Sequence, residues 1–350
     1  MHTINIKSAV RYLFRHKGYT FINIAGLSVG VACCILMMLF VRSEWSYDKF
    51  HTKSDRLYRI WLDEVYEGSR FTNTMTPIPL APAFQANLPE VEAVCRNYAF
   101  NTLVKYDNNT FNEGVNMVDS NFFNLFDFRI IEGEKLQPLK NQTSVIISRK
   151  LAKKYFGESA APGKNLEIQL GKEKILFTVI AVAENVRQES SIQFDLLIPF
   201  SNQHFLFSEA ARTRGWQNVS LESYALLKTG IDTSRVAAKI PAMVKQATGD
   251  RFKPGQYNLY LQPITDIHLN NQLPTGIAAV SDPKYSYILA TIGILVLLIA
   301  SINFVTLTIG TSTTRALEVG VRKVLGAEKN QLIRQYWGEA ILLTFLSFII

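Results

Sequence analysis

At 350 residues the chain could hold two ordinary domains, yet 48% of it is hydrophobic against only 19% charged, a balance that suggests an apolar excess concentrated somewhere along the chain. The formal net charge of +8 invites a nucleic-acid reading, and its placement excludes one: residues 1–17 carry four Lys or Arg and no acid, residues 310–339 carry five against three Glu, and 42–284 is nearly balanced at 28 basic to 26 acidic. The excess flanks the apolar runs on one side, as cytoplasmic loops of membrane proteins do, and leaves the long middle segment outside.

In chain order, "INIKSAVRYLFRHKG" sets Ile6, Val10, Leu13 and Phe14 on one helical face and Lys7, Arg11 and Arg15 on another. This predicts an amphipathic helix over 1–18 lying on a membrane surface, with a merely basic flank as the alternative. The 24 uncharged residues between Lys17 and Arg42 would span about 36 Å as a helix, enough to cross a bilayer. We expect a first membrane helix at 19–41. The run is longer than the core of a signal peptide and no small-x-small site follows it. Within it, "GLSVG" matches a hydrolase nucleophile elbow only in letters, because that elbow needs a strand-to-helix turn. Gly26 and Gly30 instead form a G-x-x-x-G pair suited to close helix packing.

Residues 42–284 read as an α+β extracytoplasmic domain of two lobes. "LYRIWLDEVY", "KILFTVIAVAENV", "DLLIPF", "SYALLKT" and "YNLYLQPI" read as strands; Ala81–Leu88 reads as a helix, and "SVIISRKLAKKYFG" as a strand running into a glycine-closed helix. Cys33 and Cys34 lie in the first apolar run and Cys95 is alone outside, so no intrachain disulfide staples the domain. "GESAAPGKN" imitates a phosphate loop, but five residues separate its glycines, Asn165 stands where Ser or Thr should hold magnesium, and a helix precedes it. The five histidines show no ligand spacing. We expect no catalytic residue, no metal and no cofactor in this chain.

A second membrane helix is expected at 285–310, within 30 uncharged residues between Lys284 and Arg315. Asn303 inside it needs a polar or helical partner, for packing or to line a path. A charged region follows at 311–338, and a third apolar run at 339–350 is cut by the end of the chain, as if inside a third membrane helix. The fold class is therefore a membrane protein with α-helical transmembrane segments and a large α+β domain inserted between helices 1 and 2.

The charged region centres on "RALEVGVRKVLGA", Arg315 to Ala327. As a helix it sets Leu317, Val321, Val324 and Leu325 on one face and Arg315, Glu318 and Arg322 on another, with Glu318 and Arg322 in the favourable i,i+4 order. Gly320 opens a gap and Gly326 can close the helix. Periodicity alone leaves two readings, a solvated flank or a docking face. The stretch resembles the R-x-x-E-[IV]-G-[VI]-R-[KR]-x-x-G-A signature of MacB/FtsX-type permeases of ABC transporters. "LLIASINFVTLTIGTSTTRA" upstream resembles them too, and "NMVDSNFFNLFDFRIIEGE", "VIISRKLAKKYFGE", "GKNLEI" and "FTVIAV" are similar to the MacB periplasmic core domain.

The resemblance implies a multi-pass bacterial inner-membrane protein with a cytoplasmic N-terminus and a periplasmic 42–284 domain. It implies that Arg315, Glu318, Gly320, Arg322, Lys323 and Gly326 dock on a separate ABC ATPase that binds the ATP. It further implies a second permease unit as partner, with a periplasmic adaptor and an outer-membrane channel beyond it. The chain itself would be non-catalytic, coupling ATP hydrolysis to motion of the periplasmic domain for export or extraction of a substrate. The alternative is an FtsX-like transmitter that regulates a periplasmic partner without transport. A two-helix receptor is the third reading, and the apolar run after Glu339 argues against it.

Overall fold

The computed structural model describes residues 17–326 and 328–350, so nearly all of the helix expected over 1–18 lies outside the described residues. The chain forms two compact units, one of residues up to Ser43 together with Pro283–Ile350, the other Glu44–Asp282. Helix α1 (Lys17–Glu44) leads into the second unit.

Strands β1 (Leu57–Tyr66), β2 (Ser69–Asn73) and β3 (Thr76–Pro77) are followed by helix α2 (Leu80–Asn87). A long hairpin of β4 (Val91–Tyr106) and β5 (Asn109–Val118) comes next, then the single turn α3 (Phe122–Leu125), β6 (Ile130–Gly133), β7 (Ser144–Ser148) and α4 (Arg149–Phe156). The unit continues with β8 (Asn165–Leu170), β9 (Glu173–Ala183), β10 (Leu196–Pro199), α5 (Glu209–Arg214), β11 (Val219–Leu227), α6 (Thr233–Thr248) and β12 (Tyr257–Pro263). Helices α7 (Pro283–Val324) and α8 (Lys329–Ile349) belong to the first unit.

Local chemistry explains several of these elements. Ser148 caps α4 by accepting the Leu151 N–H at 3.1 Å, and Gly157 ends the helix at φ 62. The strand, cap, helix and glycine stop follow the sequence pattern. Glu67 and Gly68, both at positive φ, make the two-residue turn that pairs Tyr66 with Ser69. "GESAAPGKN" is the turn from α4 to β8, with Gly163 at φ 90.

The strands make one mixed sheet in the order β12-β1-β11-β4-β5-β10-β7-β9-β6, with β2 on β1 and β3 on β11. Strand β8 pairs with both β4 and β9, so β4-β5-β10-β7-β9-β8 closes into a ring. Closure removes the edges that an open sheet would present. Val104, Val115, Val145, Ile147, Ile168, Phe177, Val179 and Ile198 belong to one buried cluster drawn from these strands. The far side of β4 opens into β11, β1 and β12, where α2 and α6 bury Leu80, Phe84, Val236 and Ile240 against Ile60, Leu62 and Leu259. The domain thus has a barrel end and an open-sheet end that share β4. A third cluster, with Phe122, Phe126, Phe194 and Tyr224, lies among α3, β10 and β11.

Candidate functional site

Lys17–Glu44 and Pro283–Gly310 are each long and apolar enough to cross a membrane, both holding an 18-residue stretch of mean hydropathy 2.6. Helices α1 and α7 run antiparallel: the Tyr19 hydroxyl donates to Thr308 Oγ1 at 3.0 Å, and beyond it Gly26 faces Asn303, Gly30 faces Ala300, and Met37 faces Gly293. A Cβ added at Gly26 would lie 3.4 Å from Asn303 Nδ2, and one at Gly30 would lie 2.6 Å from the Ala300 Cβ. The structure therefore brings Gly26, Gly30 and Asn303 to one seam, where a missing side chain on α1 lets α7 approach. Helix α8 reaches the same pair, because Ser28 Oγ donates to the Ser347 carbonyl at 2.9 Å. Sequence reasoning missed Gly293 and Ala300, whose small size seven residues apart was the available signal. It also missed Asn23, which is 2% exposed and donates to the Tyr19 carbonyl.

The charged signature is not a separate helix. Helix α7 continues unbroken for 42 residues, from the apolar run through Arg315, Glu318, Gly320, Arg322 and Lys323. It stops where Gly326 takes φ 89 and donates its N–H to the Lys323 carbonyl at 3.0 Å. Gly320 and Lys323 are exposed, and so are the apolar Val321, Val324 and Leu325 at 53%, 88% and 80%. This helix end thus displays three large apolar side chains beside a lysine. Helix α8 begins at Lys329, ahead of the third uncharged run.

Where the chain enters and leaves the domain, ionisable groups are buried. Asp48 is fully buried at φ 57; its backbone N–H donates to the Glu189 carbonyl at 2.9 Å, and its carboxylate accepts the Ser191 N–H at 2.8 Å. Burial pushes its carboxyl up from 3.8 to about 6, with hydrogen bonds from Ser191 and Ser190 opposing and the Glu222 charge reinforcing the rise. His51, 1% exposed, accepts the Asp127 N–H on Nδ1 at 3.0 Å, a bond that requires that nitrogen unprotonated. Burial pushes its imidazole down from 6.5 to about 4, with the Asp127 charge pulling the other way. On the leaving side, the His268 ring stacks on Tyr47 at 3.3 Å, and its Nε2 lies 3.2 Å from the Glu44 carboxylate. Among the described residues no group of three His, Cys, Asp or Glu is placed to hold a metal ion.

The family model for the MacB-like periplasmic core domain matches residues 20–243, and that for the FtsX-like permease C-terminal region matches 290–350. The chain belongs to the MacB/FtsX-type permeases of ABC transporters. Among its relatives is a pyoverdine export ATP-binding/permease protein, PvdT, of Pseudomonas syringae pv. syringae, 22% identical over 98% of this chain and 50% of the relative. Another is a macrolide export ATP-binding/permease protein, MacB, of Chromobacterium violaceum, 22% identical over 97% of this chain and 50% of the relative. The chain spans about half the length of the curated relatives it matches. A domain of a putative permease from Porphyromonas gingivalis has the same fold, at TM-score 0.53 and 21% identity over 68% of this chain and 98% of that one. Family membership makes this an inner-membrane protein whose α+β unit is a periplasmic domain.

Two outcomes follow from the geometry. Gly30→Leu should force α1 from α7 and lower the thermal stability of the detergent-solubilised protein, at a cost of about 1–3 kcal/mol. Gly310→Leu, where an added Cβ meets nothing within 4 Å, should not; equal losses in the two variants would remove the Gly30 seam. The pH dependence of domain unfolding carries two opposed contributions. The raised Asp48 carboxyl adds stability that is full below 3.8 and lost as pH rises through about 6. The depressed His51 adds stability that is full above 6.5 and lost as pH falls through about 4. Asp48→Asn should therefore unmask a loss of stability on acidification through this window, and His51→Gln a gain. Thermal melts at stepped pH measure both, and parallel slopes in the two variants would contradict the assignment.

Proposed function

We propose that this chain is the permease unit of an ABC-type complex in which a separate ATPase, binding the ATP, docks on the cytoplasmic end of α7 and drives motion of the periplasmic domain, for export or extraction of a substrate. The observation that carries this reading is the unbroken run of α7. One helix joins the apolar span to the Arg315–Gly326 signature, so a displacement at the charged end moves the span with it. The exposed Val321, Val324 and Leu325 beside Lys323 offer an ATPase an apolar contact next to a positive charge. The names of the relatives, which join ATP-binding to permease and specify export, support an ATP-driven export role. Arg315, Glu318 and Arg322 give the dock its polarity, Gly320 its close approach, and Gly326 its end. Two permease units and two ATPases form the working assembly, and a periplasmic adaptor with an outer-membrane channel completes an export route.

Arg322→Glu and Glu318→Lys, in a nanodisc complex of full-length permease and cognate ATPase, should abolish ATPase co-purification or permease-dependent hydrolysis while leaving membrane insertion intact. Breaking a desolvated charge contact of this kind costs about 2–5 kcal/mol. If co-purification and hydrolysis both stay at the wild-type level, the charged end of α7 is a solvated flank. The orientation is tested by cysteine labelling of the exposed positions Asn108 and Lys329. A membrane-impermeant maleimide should reach the first from the periplasmic side and the second only from the cytoplasm, and the reverse pattern would invert the topology.

A further inference from the structure

The segment that leaves the domain for α7 rests on a buried ion pair. Arg59 on β1 and Glu222 on β11 are each 1% exposed, and Arg59 Nη1 donates to Glu222 Oε1 at 3.0 Å. Gln262, opposite Arg59 on β12, accepts from Arg59 Nε and Nη2 at 3.2 and 2.7 Å. The Tyr224 hydroxyl donates to Glu222 Oε2 at 2.6 Å. Packing alone does not call for such a pair, because apolar residues of similar volume usually stabilise a core as well or better. The strands it joins already share a backbone ladder, with Arg59 opposite Tyr224 as well as Gln262.

What the pair does hold is the outgoing chain. The Ile277 N–H donates to Glu222 Oε1 at 3.0 Å, and Thr74 Oγ1 donates to the Pro274 carbonyl at 3.2 Å. Between them Gly276 lies so close that an added Cβ would run into the Glu222 carboxylate and stand 2.8 Å from Arg59 Nη1. The carboxylate cannot swing aside without breaking its bonds to Arg59 and Tyr224. The outgoing chain is also tied to the incoming one, through His268 against Tyr47 and Glu44 and through the Ser281 N–H donating to the His268 carbonyl at 2.7 Å.

We propose that Arg59 and Glu222 are positioning residues that strap segment 274–277 to the sheet, so that displacement of α7, passed on beyond the tie at Ser281 and His268, reaches strands β1 and β11 through the Ile277 amide. The inference rests on the ATP-driven motion proposed above and adds the element that delivers it. Gly276→Ala pushes the strap off its anchor without replacing either charged residue. In the nanodisc complex with its ATPase, hydrogen exchange should show the Ile277 amide released about ten- to a hundredfold, the loss of one hydrogen bond to a charged acceptor. Strands β1 and β11 should keep their protection.

A spin label on an unnatural side chain at position 108, in the turn between β4 and β5, reads the distance between the two permeases with and without ATP. The ATP-dependent change present in wild type should shrink in Gly276→Ala while the ATPase still co-purifies. Equal exchange at Ile277 in both proteins, or a distance change of wild-type size in the variant, overturns the strap alone. No ATP-dependent change in wild type overturns the proposed motion and the strap with it. If Gly276→Ala also strips protection from β1 and β11, Glu222→Gln decides by the same readouts. That variant keeps the shape and removes the charge, and it should speed Ile277 exchange and diminish the distance change; wild-type values for both would overturn the proposal.

Discussion

The close approach of α1 and α7 at Gly26 and Gly30 is the constraint on which the architecture depends. In a bilayer the surrounding lipid is as apolar as the helices, so hydrophobic burial does not drive them together, and the contact rests on van der Waals packing between small residues and on a few polar bonds. Gly30 against Ala300, Asn303 beside Gly26, and the Tyr19 to Thr308 bond supply both. The periplasmic domain is inserted between these two helices, so its incoming and outgoing segments must suit a pair of antiparallel neighbours. They meet within the domain, at Glu44, Tyr47 and His268.

Burial of charge is concentrated in the same regions of the chain. The large clusters of the domain are apolar, as a core that must be stable without disulfides should be. Asp48 and His51 sit just inside the incoming segment, and Arg59 with Glu222 holds the outgoing one. Each charge of the Arg59–Glu222 pair loses several kcal/mol of hydration on burial, about as much as its partner returns, so the pair adds little to the total stability. An apolar contact would let residues 274–277 slide. A backbone N–H facing a fixed carboxylate holds one register.

The two long apolar helices, the capped helix α4, the turn at Gly157–Asn165 and the main apolar strands were legible because their signals are local. An uncharged run, a Ser before a helix and a glycine after it each declare themselves within a few residues. The β4–β5 hairpin was not, since its strands are rich in Asn, a poor strand former, and its buried pair, Asn116 donating to Asn97 at 2.9 Å, looks polar in sequence. The ring closed by β8 depends on contacts between strands some sixty residues apart, here Val104 with Ile168. Arg59 and Glu222 are 163 residues apart, and nothing near either marks the other. The sequence singled out Gly26, Gly30 and Asn303, which the structure brings together, and the charged stretch after them, but neither Arg59 nor Glu222.

The boundary drawn at residue 310 shows which property of a sequence governs mechanics. Polarity changes there, so a composition-based reading divides a membrane helix from a charged region. A helix ends where its backbone must end, at a proline, a competing cap or a residue of positive φ. Between Pro283, tolerated in the first turn, and Gly326 the chain has no second proline, and its three internal glycines, Gly293, Gly310 and Gly320, weaken a helix without breaking it. Forty-two residues therefore make one rod of about 63 Å. A hinge at 310 would let a push at Arg322 be absorbed as bending; a continuous rod transmits it along its axis, and the first place it can be taken up is a non-helical segment beyond either end.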